Sequence, residues 1–79
     1  MATKAYILIE TAVGKSRAIV ETLKAVPGMK SVDPVTGPHD IIAVLEAKDL
    51  NSIGSTVSNY IHTIKGIERT VTCLSLSPE

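Results

Sequence analysis

The chain has 79 residues, enough for one domain, and its eight Lys and Arg residues balance eight Asp and Glu residues. A net charge of zero argues against nucleic acid or a membrane surface as a direct partner, because both attract proteins with a basic excess. The one cysteine excludes an intrachain disulfide, and no segment reaches the roughly 18 apolar residues of a membrane-spanning helix. We therefore expect a single cytoplasmic domain over residues 1–79, without a cofactor.

The first half of the chain predicts a strand, a helix and a second strand. Residues 4–11 form the first strand, in which Ile7, Leu8 and Ile9 are apolar at consecutive positions, as is typical of a strand buried on both faces. Residues 15–26 repeat apolar residues at helical spacing and end at a Pro-Gly pair, a common helix terminator. Residues 29–35 are more polar and contain Pro34, which an edge strand tolerates and a central strand does not.

The second half predicts the same three elements in the same order. Residues 41–47 form another strand that is apolar on both faces, and Asp49 is a good N-cap for a second helix. Residues 67–76 form the last strand, in which we expect Cys73 to be a buried structural thiol. The predicted buried stripe of the second helix consists of Leu50, Ile53, Val57, Ile61 and Ile64.

The element order β-α-β-β-α-β predicts an α+β fold of the ferredoxin-like type. In this fold a four-stranded antiparallel sheet has its first and third strands in the centre and carries two helices on one face. Both central strands are apolar on both faces, so the uncovered face would be a large exposed apolar patch, which soluble monomers avoid. We therefore expect two subunits to pack these faces together in a homodimer.

The turn before the third strand combines turn-forming residues with a carboxylate, an imidazole and a hydroxyl within six residues. It reads Val35-Thr36-Gly37-Pro38-His39-Asp40. Asp40, His39 and Thr36 are residue types that serve as acid, base and orienting group in catalysis. Alternatively, Asp40 and Thr36 accept hydrogen bonds from backbone amides and stabilise the turn. A third interpretation is a ligand site, because free turn amides and a carboxylate suit a zwitterion.

Two further pairs of polar residues are candidates outside this turn. Thr70 and Thr72 point the same way from the last strand, which fits either ordinary strand propensity or two hydroxyls lining a pocket. His39 and His62 are the two histidines, and a metal site needs three or more suitable ligands. We therefore expect no metal, and we expect His62 on the solvated side of the second helix, near its end.

Three motifs together resemble one known family. They are Val-Pro-Gly at 26–28, Val-Thr-Gly-Pro-His-Asp-Ile-Ile-Ala-Val at 35–44, and Ile-Lys-Gly-Ile-Glu-Arg-Thr-Val-Thr at 64–72. This pattern resembles the effector-binding domain of the Lrp/AsnC transcription factors, also called the RAM domain, for regulation of amino acid metabolism. The resemblance covers about residues 3–77, and the T-G-x-x-D turn and the G-I-x-R-T-x-T strand are its specific parts.

The resemblance implies a fold, an assembly and a ligand site. The fold is ferredoxin-like, subunits pair through their sheets, and dimers assemble into rings that are often octamers. The effector, commonly an amino acid, binds between dimers near the turn that joins the second and third strands. The carried-over ligand-binding positions are Thr36, Gly37, His39, Asp40, Thr70 and Thr72. In this set Gly37 allows close backbone approach, Asp40 holds an ammonium group, and the threonines bind a carboxylate.

Full-length members of this family carry an N-terminal helix-turn-helix domain, whereas this sequence starts at the first strand. We expect a stand-alone ligand-binding module that does not contact DNA and that can modulate a full-length regulator by mixed assembly. One alternative is a small dimeric α+β barrel enzyme of the oxygenase or isomerase type that uses His39. Others are a ligand-free assembly module and the related ACT domain, whose usual site lies at the end of the first strand and first helix.

Overall fold

A computed structural model describes residues 2–76 and confirms the predicted ferredoxin-like fold. One antiparallel sheet has the strand order β2-β3-β1-β4, so the first and third strands are central, as predicted. No helix among residues 2–76 combines the length and the apolarity needed to cross a bilayer. The elements are β1 Thr3–Thr11, α1 Ser16–Lys24, β2 Met29–Pro34, β3 Ile41–Ala47, α2 Leu50–Thr56, a π-helix Val57–Ile61 and β4 Ile67–Leu74.

One face of the sheet packs against the helices and forms the hydrophobic core. Alternate residues of β1 and β3 are fully buried there, because side chains on a strand point to opposite faces in turn. Ala5, Ile7 and Ile9 come from β1, and Ile41, Ala43 and Leu45 come from β3. The helices contribute Ile19, Val20, Leu23, Ile53, Val57 and Ile61, and Val26 joins this core from just after α1.

No helix within residues 2–76 covers the opposite face of the sheet, here called the open face. Tyr6 pairs across the sheet with Val44 and Cys73, and Leu8 pairs with Ile42 and Val71. These six residues define a continuous patch across three strands. Tyr6 and Val71 are 38% and 42% exposed, and Leu8 is half-buried. The prediction that both faces of the central strands are apolar is confirmed, whereas the pairing of two subunits through this face stays a prediction.

Two predictions about the last strand are wrong. Cys73 is exposed rather than buried, because β4 is an edge strand and Cys73 points to the open face beside Tyr6. The strand also ends at Leu74, two residues before its predicted end.

The second helix begins as predicted. Asp49 Oδ1 accepts a hydrogen bond from the backbone N–H of Ser52 at 2.8 Å, and this bond lowers the pKa of the Asp49 carboxyl. Ile53 and Ile61 are buried as expected, but Leu50 is 57% exposed. Leu50 is the first residue of α2 and follows the exposed residues Lys48 and Asp49, so it lies at the exposed end of the helix.

The second half of this helix is a π-helix, which the sequence did not predict. The His62 N–H donates to the Val57 C=O at 2.8 Å, five residues back. Ile53, Val57 and Ile61 recur every four residues, and in an α-helix this spacing drifts by about 40° per step. The wider π turn reduces this drift, so that Val57 and Ile61 both remain on the core.

Candidate functional site

The turn at residues 35–40 is held against the end of β1 by backbone hydrogen bonds. The Val35 N–H donates to the Asp40 C=O at 2.9 Å and closes the turn. The Asp40 N–H donates to the Ile9 C=O at 2.8 Å and attaches the turn to β1. Gly37 has φ +141°, and the space where its side chain would be is open to 4 Å. The tip of the turn is therefore open to an approaching molecule, while its base is anchored.

The Asp40 carboxylate is also attached to β1. Its Oδ2 accepts the backbone N–H of Thr11 at 2.9 Å, a contact between residues 29 positions apart. Bonding to a backbone amide is the stabilising role considered above for Asp40, although the amide belongs to β1 and not to the turn. Among residues 2–76, the second carboxylate oxygen, Oδ1, has no hydrogen-bond partner. The same side chain can therefore anchor the turn and accept a hydrogen bond from a ligand.

His39 points toward an acidic side chain at the end of β1. Its Nε2 lies 3.9 Å from Glu10 Oε2, and the two side chains are 25% and 34% exposed. This separation is too long for a hydrogen bond, so the pair attracts only when the imidazole is protonated. Glu10 therefore does not orient His39 as a catalytic base would require. Thr36 is exposed near the tip of the same turn.

Thr70 and Thr72 lie on the other side of β1 from the turn. In the sheet Thr70 pairs with Ile9 and Thr72 pairs with Ile7, so both hydroxyls point to the helical side. Asp40 also bonds to Ile9, from the β3 side. One subunit therefore places β1 between the two predicted groups and does not bring them into one pocket.

A cavity beside Thr70 contains residues that the sequence did not single out as a site. It measures about 230 Å³, and within it His62 Nε2 lies 3.0 Å from Thr70 Oγ1. His62 is exposed at the end of the π-helix, as predicted for the end of the second helix. The signal that could have revealed this contact is the short connection between that helix and β4. The lining residues are His62, Ile67, Glu68, Arg69 and Thr70.

A second cavity, of about 280 Å³, lies between α1 and the end of β2 and contains none of the predicted site residues. Within residues 2–76, no three His, Cys, Asp or Glu side chains are arranged to hold a metal ion. The cavity is lined by Ser16, Arg17, Val20, Glu21 and Pro34.

The fold is similar to that of several solved structures. TTHA0845 from Thermus thermophilus is 30% identical and superposes with a TM-score of 0.91 over 98% of this chain and 96% of its own. The transcriptional regulator NMB0573 from Neisseria meningitidis, solved in complex with L-Met, is 17% identical. It superposes with a TM-score of 0.85 over 96% of this chain and 51% of its own, a likeness of fold alone.

A curated relative from Sulfurisphaera tokodaii, named homocitrate synthase, is 37% identical over 59 residues, or 75% of this chain. The matched part is 13% of that relative's length. The family model described as the Lrp/AsnC ligand binding domain matches residues 4–78, nearly the whole chain. The resemblance inferred from the three motifs is thereby confirmed, and the chain belongs to the Lrp/AsnC ligand-binding domain family.

Proposed function

We propose that this chain is a small-molecule-binding and oligomerisation module that takes an amino acid as its effector. Its role is to modulate transcription regulation of amino acid metabolism in the cytoplasm, by mixed assembly with a full-length Lrp/AsnC regulator. Membership of the ligand-binding domain family supports a binding role. The L-Met bound to the similarly folded NMB0573 supports the choice of an amino acid. The match to 13% of the length of a protein named homocitrate synthase supports a module of this kind that also occurs as part of an enzyme chain.

The observation that carries the proposal is the divided role of the Asp40 carboxylate. One oxygen is held by the Thr11 N–H, and the other has no partner among residues 2–76. A carboxylate with one fixed oxygen is already oriented, so a ligand ammonium binds it without ordering the side chain further. The open space at Gly37 allows the ligand to approach the turn backbone. Asp40 therefore binds the ammonium group of the effector.

The open face supports the proposed assembly. Its apolar residues on three adjacent strands form a patch of the kind that soluble monomers cover. Two subunits pair through this face, and the dimers assemble into a ring, in the family often an octamer. Since β1 separates the turn from Thr70 and Thr72 within one subunit, a complete site takes the turn from one subunit and the threonines from another.

The test is to measure the Tm of the protein and its mass in solution in the presence of each proteinogenic amino acid. An effector that binds the folded state stabilises it by about 2.7 kcal/mol at a hundredfold excess over its Kd. For a domain of this size that corresponds to a rise in Tm of about 10–20 °C. A selective rise with one or a few amino acids supports the proposal, and a flat response across the panel contradicts it.

Asp40→Asn tests the site itself. The amide retains an oxygen that can accept the Thr11 N–H, so the fold and the mass in solution are expected to persist. The lost charge should weaken effector binding about tenfold or more, because a hydrogen bond to a charged group contributes roughly 1.5–3 kcal/mol. Glu21→Gln, which removes an exposed carboxylate on α1, is the matched control and should bind normally. Unchanged affinity in Asp40→Asn would exclude Asp40 from the site.

A further inference from the structure

The cavity beside Thr70 contains a histidine to which the proposed function gives no role. His62 Nε2 lies 3.0 Å from Thr70 Oγ1, and both residues line the same space of about 230 Å³. A threonine hydroxyl has one proton to donate and two lone pairs that accept. Its contact with His62 uses one of these and leaves the others available to a ligand in the cavity.

The backbone on both sides of this contact is held by packing and hydrogen bonds. His62 follows Ile61, which is fully buried, and its own N–H closes the last turn of the π-helix on the Val57 C=O. Thr70 lies within β4 and pairs with Ile9 in the central strand β1. Threonine is β-branched, so its side chain has few rotamers to choose from. A π turn is uncommon and is often found at functional sites. The imidazole and the hydroxyl are therefore held in contact by two different elements, the end of the π-helix and β4.

The direction of this hydrogen bond decides what the hydroxyl can offer a ligand. If His62 donates its Nε2 proton to Thr70 Oγ1, the hydroxyl proton remains available to a ligand acceptor. If Nε2 instead accepts, the hydroxyl proton is used within the protein. Glu68 and Arg69 line the same cavity with opposite charges, and of the two it is Arg69 that offers N–H donors to a negatively charged ligand acceptor. The first arrangement and Arg69 together match a carboxylate.

We propose that His62 is a positioning residue of the effector site: it donates to Thr70 and so directs the Thr70 hydroxyl at the carboxylate of the bound amino acid. This rests on the proposed function and extends it to a residue outside the six predicted site positions. His62 acts through Thr70, so its effect on binding exists only while the Thr70 hydroxyl is present.

The test is a double-mutant cycle on effector affinity. The probe is the proteinogenic amino acid that raises the Tm of the wild-type protein most, and Kd is measured by calorimetry. His62→Leu keeps bulk and removes the donor, and Thr70→Val keeps the shape and removes the hydroxyl. We expect Thr70→Val to bind at least about tenfold more weakly, because its hydroxyl bonds a charged carboxylate, and His62→Leu to bind about fivefold more weakly, because its bond to Thr70 is neutral. We expect the double variant to bind no more weakly than Thr70→Val alone.

His62→Gln is the conservative control, because its amide retains an N–H that can donate to Thr70. We expect it to restore most of the affinity that His62→Leu loses, with the same mass in solution. Losses that add in the double variant, or a His62→Leu protein with normal affinity, overturn the role of His62 while the proposed function stands. A failed rescue by glutamine also overturns it. A wild-type protein that binds no amino acid overturns both at an earlier step.

Discussion

Gly28→Ala is the substitution whose effect on stability the structure determines most sharply. Gly28 joins α1 to β2 with φ +87°, a backbone conformation that residues with a side chain rarely adopt. An added Cβ would also collide with the backbone carbonyl oxygen of Glu46 and lie 3.3 Å from Leu45 Cδ1. The Gly28 C=O accepts the Glu46 N–H at 2.9 Å, so the two backbone segments are already bonded together. The collision is therefore with atoms that cannot move independently.

Two costs add in this variant. The left-handed conformation costs a residue with a side chain about 1–2 kcal/mol. The displacement of β3 that accommodates the methyl group adds roughly 1–3 kcal/mol, the usual cost of overpacking. A domain of this length has a total free energy of unfolding of roughly 4–12 kcal/mol. Gly28→Ala therefore removes a large fraction of the stability.

Gly14→Ala separates the two costs. Gly14 has φ +79°, similar to Gly28, but its added Cβ would meet no atom within 4 Å. Urea unfolding of both variants gives the free energy of unfolding that each one loses. Both are measured at the same protein concentration, because the stability of an assembling chain depends on its concentration. We expect Gly28→Ala to lose at least about 1 kcal/mol more than Gly14→Ala. Equal losses would refute the argument that the carbonyl of Glu46 cannot yield.

Two further predictions concern the assembly and the second helix. Leu8→Lys places a charge on the open face, so it should reduce the mass measured by light scattering and speed the alkylation of Cys73. Val13→Lys, in an exposed turn, is the control and should change neither the mass nor the alkylation rate. If Leu8→Lys keeps the wild-type mass, the open face is not the interface. Asp49→Ala should lower the Tm at neutral pH, because the Ser52 N–H lowers the pKa of the Asp49 carboxyl in the folded state. That stabilisation is present above the ordinary value of 3.8 and is lost as the pH falls through the lowered pKa, so the two melting curves should converge in acid.

The strand order could be predicted from the sequence because it follows from a pattern that burial imposes. The apolar runs at residues 4–11 and 41–47 have side chains for both faces, and only central strands need them. Pro34, at the end of the more polar second strand, placed that strand at an edge. Asp49 was recognisable as a cap because its partner, Ser52, is three residues away. These features are local, so they can be read along the chain.

The features that the sequence did not reveal depend on tertiary contacts or on subtle geometry. The Asp40 carboxylate bonds Thr11 across 29 positions, and no local pattern specifies that pairing. The exposure of Cys73 depends on the position of β4 at the edge of the sheet formed by residues 2–76, whereas its apolar neighbours favoured burial. The π-helix depends on how two side chains fit the core, and an α-helix with the same residues would have looked equally plausible.

The pairing of β1 with β4 determines when this fold can form. Ala5 pairs with Leu74, so a central strand near the start of the chain acquires a neighbour from close to the opposite end. Closing so long a loop costs entropy before the contacts compensate for it, and such pairings slow folding. During synthesis, one edge of β1 remains unpaired until β4 has left the ribosome. Exposed edges of this kind are prone to pair with other chains, so a factor that covers β1 during synthesis would raise the yield of folded protein.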